Sequence, residues 1–136
     1  MVSRKDVLAE LTGITDKLST QVRTTAVAVL VLTWGLLIGD SPIARAISTE
    51  RKPSLILLGV ASVTILFLDF LQYFAGYFST KKVFDEMEKA KTDEGQYDYG
   101  SLPWRFRFLL FWAKQALLVL TVIALLIVFG RWAVSK

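Results

Sequence analysis

The apolar positions of this chain gather into three long blocks, and short polar stretches separate them. The middle block sets the frame. From Pro53 to Thr80 its only charged residue is Asp69. An apolar run of about 18 or more residues with so few charges is a membrane-span candidate, because a helix needs about 20 residues to cross the hydrocarbon core. The third block, 104–130, opens on Trp104, Arg105, Phe106 and Arg107 and closes near Arg131 and Trp132. Aromatic and basic residues at both ends are what a crossing helix places at its two interfaces. The first block, 24–38, is shorter. Its ~15 residues reach only ~22 Å, less than a ~30 Å core. It is therefore expected to draw on residues 21–23, with Arg23 snorkelling towards the head groups, or to enter a locally thinned bilayer.

Ahead of that block, residues 3–22 carry a helical period. Val7, Leu8, Leu11, Ile14, Leu18 and Val22 share one face, and Arg4, Lys5, Asp6, Glu10, Asp16 and Lys17 lie largely off it. Ser3 followed by Asp6 has the form of an N-cap with an acidic third position. The period predicts an amphipathic helix over 3–22, lying on the membrane, forming a self-association seam, or simply extending the first span. Gly35 and Gly39 make a Gly-x-x-x-Gly spacing, which suits either a close helix contact or a helix end at Gly39.

Between blocks one and two, Ser41-Pro42 is a helix start with Pro at the first helical position. A short polar link is expected over 40–52. After block two the helix is expected to run on to about Lys91, supported by opposite charges four residues apart: Lys81/Asp85, Lys82/Glu86 and Asp85/Lys89. The stretch 92–103, with Asp93, Glu94, two glycines and Pro103, reads as a loop holding Tyr97 and Tyr99.

Composition narrows the chemistry. Hydrophobic residues make up 54% of the 136 positions, and mean hydropathy is +0.49. The absence of Cys and His removes disulfides, thiolates, imidazole bases and nearly all zinc sites. There is no glycine-rich phosphate loop and no paired catalytic carboxylates, so an enzyme is not expected, nor a cofactor or metal. A net charge of +4, dispersed along the chain, suits anionic lipid better than nucleic acid. With three crossings the N-terminus and the 80–103 segment share a side. Counted through residue 107, that side carries Arg4, Lys5, Lys17, Arg23, Lys81, Lys82, Lys89, Lys91, Arg105 and Arg107, against Arg45, Arg51, Lys52, Arg131 and Lys136 on the other. The positive-inside rule then expects a cytoplasmic N-terminus and an outside C-terminus, in a bacterial inner membrane.

Two charges fall inside the apolar blocks, Asp69 and Lys114. A charge at the centre of a crossing helix costs roughly 2.5–3.5 kcal/mol on insertion scales, so each calls for a partner. Counted from Lys81 and Arg105, both lie roughly 13–18 Å deep on antiparallel neighbours, which predicts an ion pair. Polar stripes accompany them: Ser62, Gln72 and Tyr73 on the second span; Arg107, Gln115 and Thr121 on the third. Gln72 or Gln115 is expected to hydrogen-bond the pair. Facing stripes either hold helices together or line a wet path; one carboxylate without histidine makes a thin proton relay.

The expectation is one all-α, polytopic membrane domain: an amphipathic helix 3–22, spans at 24–38, 53–79 and 104–130, and a cytoplasmic helix and loop at 80–103. In size and span layout the chain resembles three-span phage holins and small multi-span effectors of bacterial defence systems, a likeness of architecture alone. It implies a protein that self-assembles through intramembrane polar contacts as a membrane effector or pore. The alternatives are an accessory subunit that stabilises a larger membrane complex and, more weakly, a small dimeric transporter subunit. The partners implied are the lipid bilayer and either copies of the chain or a larger membrane protein, with no nucleic acid.

Overall fold

We analysed a computed structural model of the chain. It describes residues 4–91, 95 and 99–134, with side chains from residue 9 onward. The described residues form three helices: α1 (Arg4–Ile38), α2 (Pro42–Ala90) and α3 (Leu102–Val134). Each is long and apolar enough to cross a membrane, with candidate spans over Ala9–Ile38, Pro42–Ala90 and Leu102–Val134. That points to a membrane location. Helices suit lipid because every backbone N–H finds its carbonyl inside the same segment.

The amphipathic stretch and the first span are one element. No break occurs at Gly13 or around residues 22–24; α1 runs through both. From Arg4 onward the stretch is continuous with the first span, which matches the extension among the three readings. Its apolar face is divided between the surface and the interior. Leu11, Ile14 and Leu18 are exposed, whereas Ser19 and Val22 are buried. Continuity also removes the length shortfall of the first span, since α1 extends well past ~30 Å at 1.5 Å per residue. Ser3, Asp6, Val7 and Leu8 lie outside the described side chains.

The α1–α2 connection is tighter than the polar link expected over 40–52. Ser41 caps α2: its Oγ accepts from the Ala44 N–H at 3.1 Å, and Pro42 follows at the start of the helix. Gly39 is needed here for space. A Cβ at this position would stand 2.5 Å from the Gly35 carbonyl oxygen and 3.1 Å from the Ala44 Cβ. Gly39 thus belongs to the turn, while Gly35 faces open space. Ala44 and Ile47 are buried, so these first turns of α2 pack against the chain. At Arg51 the backbone departs from helical geometry (φ −128°, ψ 17°), two residues before Pro53. Proline lacks an N–H and its ring crowds the carbonyl four residues earlier, which accounts for the kink.

Past the kink α2 continues to Ala90 and ends at Lys91, in left-handed conformation (φ 52°), whose N–H reaches Glu88 and Met87 carbonyls. Of the three anticipated i,i+4 pairs, Lys82–Glu86 closes to 4.0 Å. The chain then returns over the helix. A Cβ at Gly95 would fall 2.7 Å from Met87 and 2.9 Å from Val83. Tyr99 packs edge-on against Trp104, ring centroids 4.9 Å apart. Tyr97, Asp93 and Glu94 lie outside the described residues.

The buried positions follow alternating steps of three and four. They include Ser19, Val22, Ala26, Val29 and Thr33 on α1; Leu55, Leu58, Ser62, Ile65, Asp69, Gln72, Ala75 and Ser79 on α2; and Leu110 and Lys114, then Thr121, on α3. Such a seam matches left-handed packing of nearly antiparallel helices. α2 is central, lying along both neighbours, while α1 and α3 meet each other much less. The interior mixes polar with apolar side chains, and the exterior is apolar. Ser62, Thr33 and Lys114 are fully covered, yet Phe67, Phe70, Leu109, Leu120 and Leu126 are open. Lipid removes the penalty for that exterior and favours small and polar residues at helix contacts.

Candidate functional site

The site grows from Asp69. The α2 seam turns this carboxylate inward, where it is 4% exposed, between α1 and α3. From α3, the fully buried Lys114 ammonium donates to Asp69 Oδ1. From α1, Arg23 donates through Nε to Asp69 Oδ2 at 3.0 Å, and its second guanidinium nitrogen lies 2.9 Å from the same oxygen. Lys114 also donates to Ser19 Oγ at 3.1 Å. Asp69 therefore bonds all three helices together, with one carboxylate held between two cations.

The three charges share a level. Arg23 precedes the end of α1 at Ile38 by about as many residues as Asp69 follows Pro53 and Lys114 precedes Gly130. At 1.5 Å per residue each distance is ~22–24 Å. In a ~30 Å core, the cluster then lies nearer the end of the bundle marked by Arg107 than the end marked by Pro53. Arg23 differs from its partners in exposure. Its side chain is 49% exposed, and its guanidinium lies over the Tyr73 ring at 5.3 Å from the centroid. Cation–π contact of this kind steadies a guanidinium on the outer face.

Towards the Pro53 end an apolar layer closes the interior. Val22, Ala26 and Ile65 form it, with Leu66, Leu117 and Leu118 packed around them. Beyond lie three buried hydroxyls, each directed to its own helix. Thr33 donates to the Val29 carbonyl (2.9 Å), Ser62 to Leu58 (2.9 Å) and Thr121 to Leu117 (2.7 Å). Bonds to the fourth preceding carbonyl satisfy the hydroxyl locally, so these side chains act as small packing groups.

Towards the Arg107 end the interior opens. A cavity of about 160 Å³ is lined by Thr15, Asp16, Ser19, Gln72, Tyr73, Gly76, Thr80 and Arg107. A larger space of about 510 Å³ separates α1 from the start of α3 and shares Thr15, Asp16, Gln72 and Arg107 with the first. Here the Arg107 guanidinium lies 5.7 Å from the Trp104 ring centroid.

The structure thus brings Asp69 and Lys114 into contact, and places Ser62, Gln72 and Thr121 on the inner seams. Tyr73 departs from the expected stripe: it faces outward, 53% exposed, beneath Arg23. Neither glutamine bonds the ion pair. Gln72 Oε1 and Gln115 Nε2 are buried without hydrogen-bond partners, and Ser19 supplies the neutral contact instead. Arg23 is the functional residue that sequence reasoning assigned elsewhere. The signal for it was its spacing from Gly39, which equals that of Asp69 from Pro53. Among the described residues no group of three or more His, Cys, Asp and Glu side chains is placed to hold a metal.

Comparison with protein-family models, curated proteins and solved structures returns no match.

Proposed function

We propose that this chain is a small integral membrane protein that assembles with copies of itself as a membrane effector of pore type. The observation that carries the reading is Arg23. One chain closes its own ionic cluster, yet leaves the Arg23 side chain half exposed on the outside of the bundle, at a level inside the apolar span. Charged groups in lipid face protein or a water-filled path. A second copy packed over Arg23 and Tyr73 supplies either. Gly35 and Gly130 support the same assembly, since nothing of the chain lies within 4 Å of where their Cβ atoms would be, which leaves room for close helix approach.

A conducting path in this reading runs between bundles. The Val22–Ala26–Ile65 layer blocks the interior of each one. The Arg107 end faces the cytoplasm, in line with its surplus of Lys and Arg, and a bacterial inner membrane is the expected setting. The test is expression alone in a bacterial host, with membrane potential and growth recorded, beside subunit stoichiometry in nanodiscs. Growth arrest with depolarisation and more than one copy per disc is expected. Normal growth and single copies would overturn the reading.

A second reading, an accessory subunit of a larger membrane complex, draws on the outer face of α2. Phe70, Phe74 and Phe78 form a ladder there, with ring centroids 6.1 and 4.8 Å apart, all three exposed. A stoichiometric membrane partner recovered with the wild-type chain, and lost when Phe74 and Phe78 become Ala, would favour it.

A further inference from the structure

The groups lining the two adjoining spaces at the Arg107 end carry a chemistry that the ionic cluster does not use. Three polar side chains meet there without partners for their strongest bonds. Among the described residues Arg107, on α3, makes no ion pair; it lies against the Trp104 ring and the flank of Gly76, whose Cβ position lies 3.6 Å from the guanidinium carbon. Asp16, on α1, is exposed and likewise makes no ion pair among the described residues. Gln72, on α2, is 6% exposed and lines both spaces, and its Oε1 accepts no hydrogen bond. An acceptor buried without a donor is costly, and such a group in a native fold asks for an occupant.

The occupant must offer three things. It needs an anion for Arg107, where a phosphate fits the guanidinium fork. It needs an N–H donor for Gln72 Oε1. It needs a positive charge for Asp16. Depth and surroundings add a fourth requirement. Arg107 is seven residues, ~10 Å, from Lys114 towards the helix start, which is where head groups begin. Phe108, Phe111 and Trp112 line the larger space just beyond it, and Phe108 and Trp112 are open to the outside of the bundle. An acyl chain leaving the site sideways would lie along those rings.

We propose that this site binds a phospholipid with a phosphate and a primary ammonium in its head group, of the phosphatidylethanolamine class. The phosphate oxygens accept from Arg107. The ammonium donates to Gln72 Oε1 and to the Asp16 carboxylate. Choline carries the same charges but no N–H, and so leaves Gln72 unsatisfied. A glycerol head group has donors but no cation, and sets a net negative charge beside Asp16.

Native mass spectrometry of the full chain in detergent tests this. The probes are phosphatidylethanolamine, phosphatidylcholine and phosphatidylglycerol of matched acyl chains, with free phosphoethanolamine to separate a head-group requirement from a lipid requirement. We expect one ethanolamine lipid per chain, bound about tenfold more tightly than either other lipid, with free phosphoethanolamine binding far more weakly than the lipid. Arg107→Gln and Gln72→Leu each lower that affinity about tenfold, the scale of one lost charge-assisted or buried hydrogen bond. Gln72→Leu also abolishes the preference over phosphatidylcholine, a readout that a general loss of folding does not give. Thermal unfolding of both variants without added lipid serves as the folding control, and Gln72→Leu should match or exceed wild type there. Equal binding of the three lipids, or wild-type selectivity in Gln72→Leu, would overturn the proposal. So would free phosphoethanolamine binding as tightly as the lipid.

Discussion

Asp69 and Lys114 form a pair, yet removing one is not equivalent to removing the other. Asp69→Leu leaves the Lys114 ammonium fully buried with Ser19 as its remaining polar contact, and with the Arg23 cation nearby. Removing one partner of a buried pair costs about 3–5 kcal/mol, and a bare charge at mid-membrane costs roughly 2.5–3.5 kcal/mol on insertion scales. We take about 3 kcal/mol for this variant. Lys114→Met removes the cation and fills its volume with an apolar chain. Asp69 then keeps both of its Arg23 contacts, 2.9 and 3.0 Å, and the cluster becomes neutral. That change should cost no more than about 1 kcal/mol, the value of a net hydrogen bond. The expected gap is about 2 kcal/mol, with Asp69→Leu the weaker protein, and the double variant should recover most of the loss. Intrinsic fluorescence of the four tryptophans, followed through thermal unfolding in one detergent at one scan rate, measures it. At a few degrees per kcal/mol for a chain of this size, the two single variants should separate by roughly 5–10 °C. If Lys114→Met proves as damaging as Asp69→Leu, Arg23 does not hold the carboxylate and the three-helix lock is wrong.

Other consequences can be checked with the same assay. Exchanging the pair (Asp69→Lys with Lys114→Asp) places a lysine against Arg23, so the swap alone should stay well below wild type; adding Arg23→Leu should raise it. Ser19→Ala removes a neutral acceptor from a buried ammonium, at a cost of about 1.5–3 kcal/mol, the range for a bond to a charged group; Thr15→Ala, which loses only a bond to its own helix, should change little. Gly39→Ala drives a Cβ against the Gly35 carbonyl and should destabilise the turn by more than 1 kcal/mol, whereas Gly35→Ala, facing open space, should leave thermal stability unchanged while reducing any multi-copy species in nanodiscs.

The three helices were legible because hydropathy and length together define a segment that lipid accepts. The Ser41-Pro42 start and the continuation of α2 to Ala90 were legible for local reasons, a cap that satisfies an N–H and charges spaced to face one another. Which residues of 3–22 pack was not legible, because an apolar period alone does not say which face meets a neighbour. The exterior of the bundle is apolar, so Leu11, Ile14 and Leu18 stay open on it, while Ser19 and Val22 pack. The glutamines were misread for a related reason: proximity in sequence to Asp69 and Lys114 says nothing about which way a terminal amide points.

What the sequence determined by itself was that three helical segments are long and apolar enough to cross a membrane, and that two opposite charges sit on neighbouring segments at one level. Rise per residue and the cost of unpaired backbone in lipid suffice for that. What only the tertiary structure decided was rotation. A helix apolar on every side has no preferred face until its neighbours impose one, and it is the placement of small and polar residues at contacts that turns Arg23 towards Asp69 and Tyr73 outward.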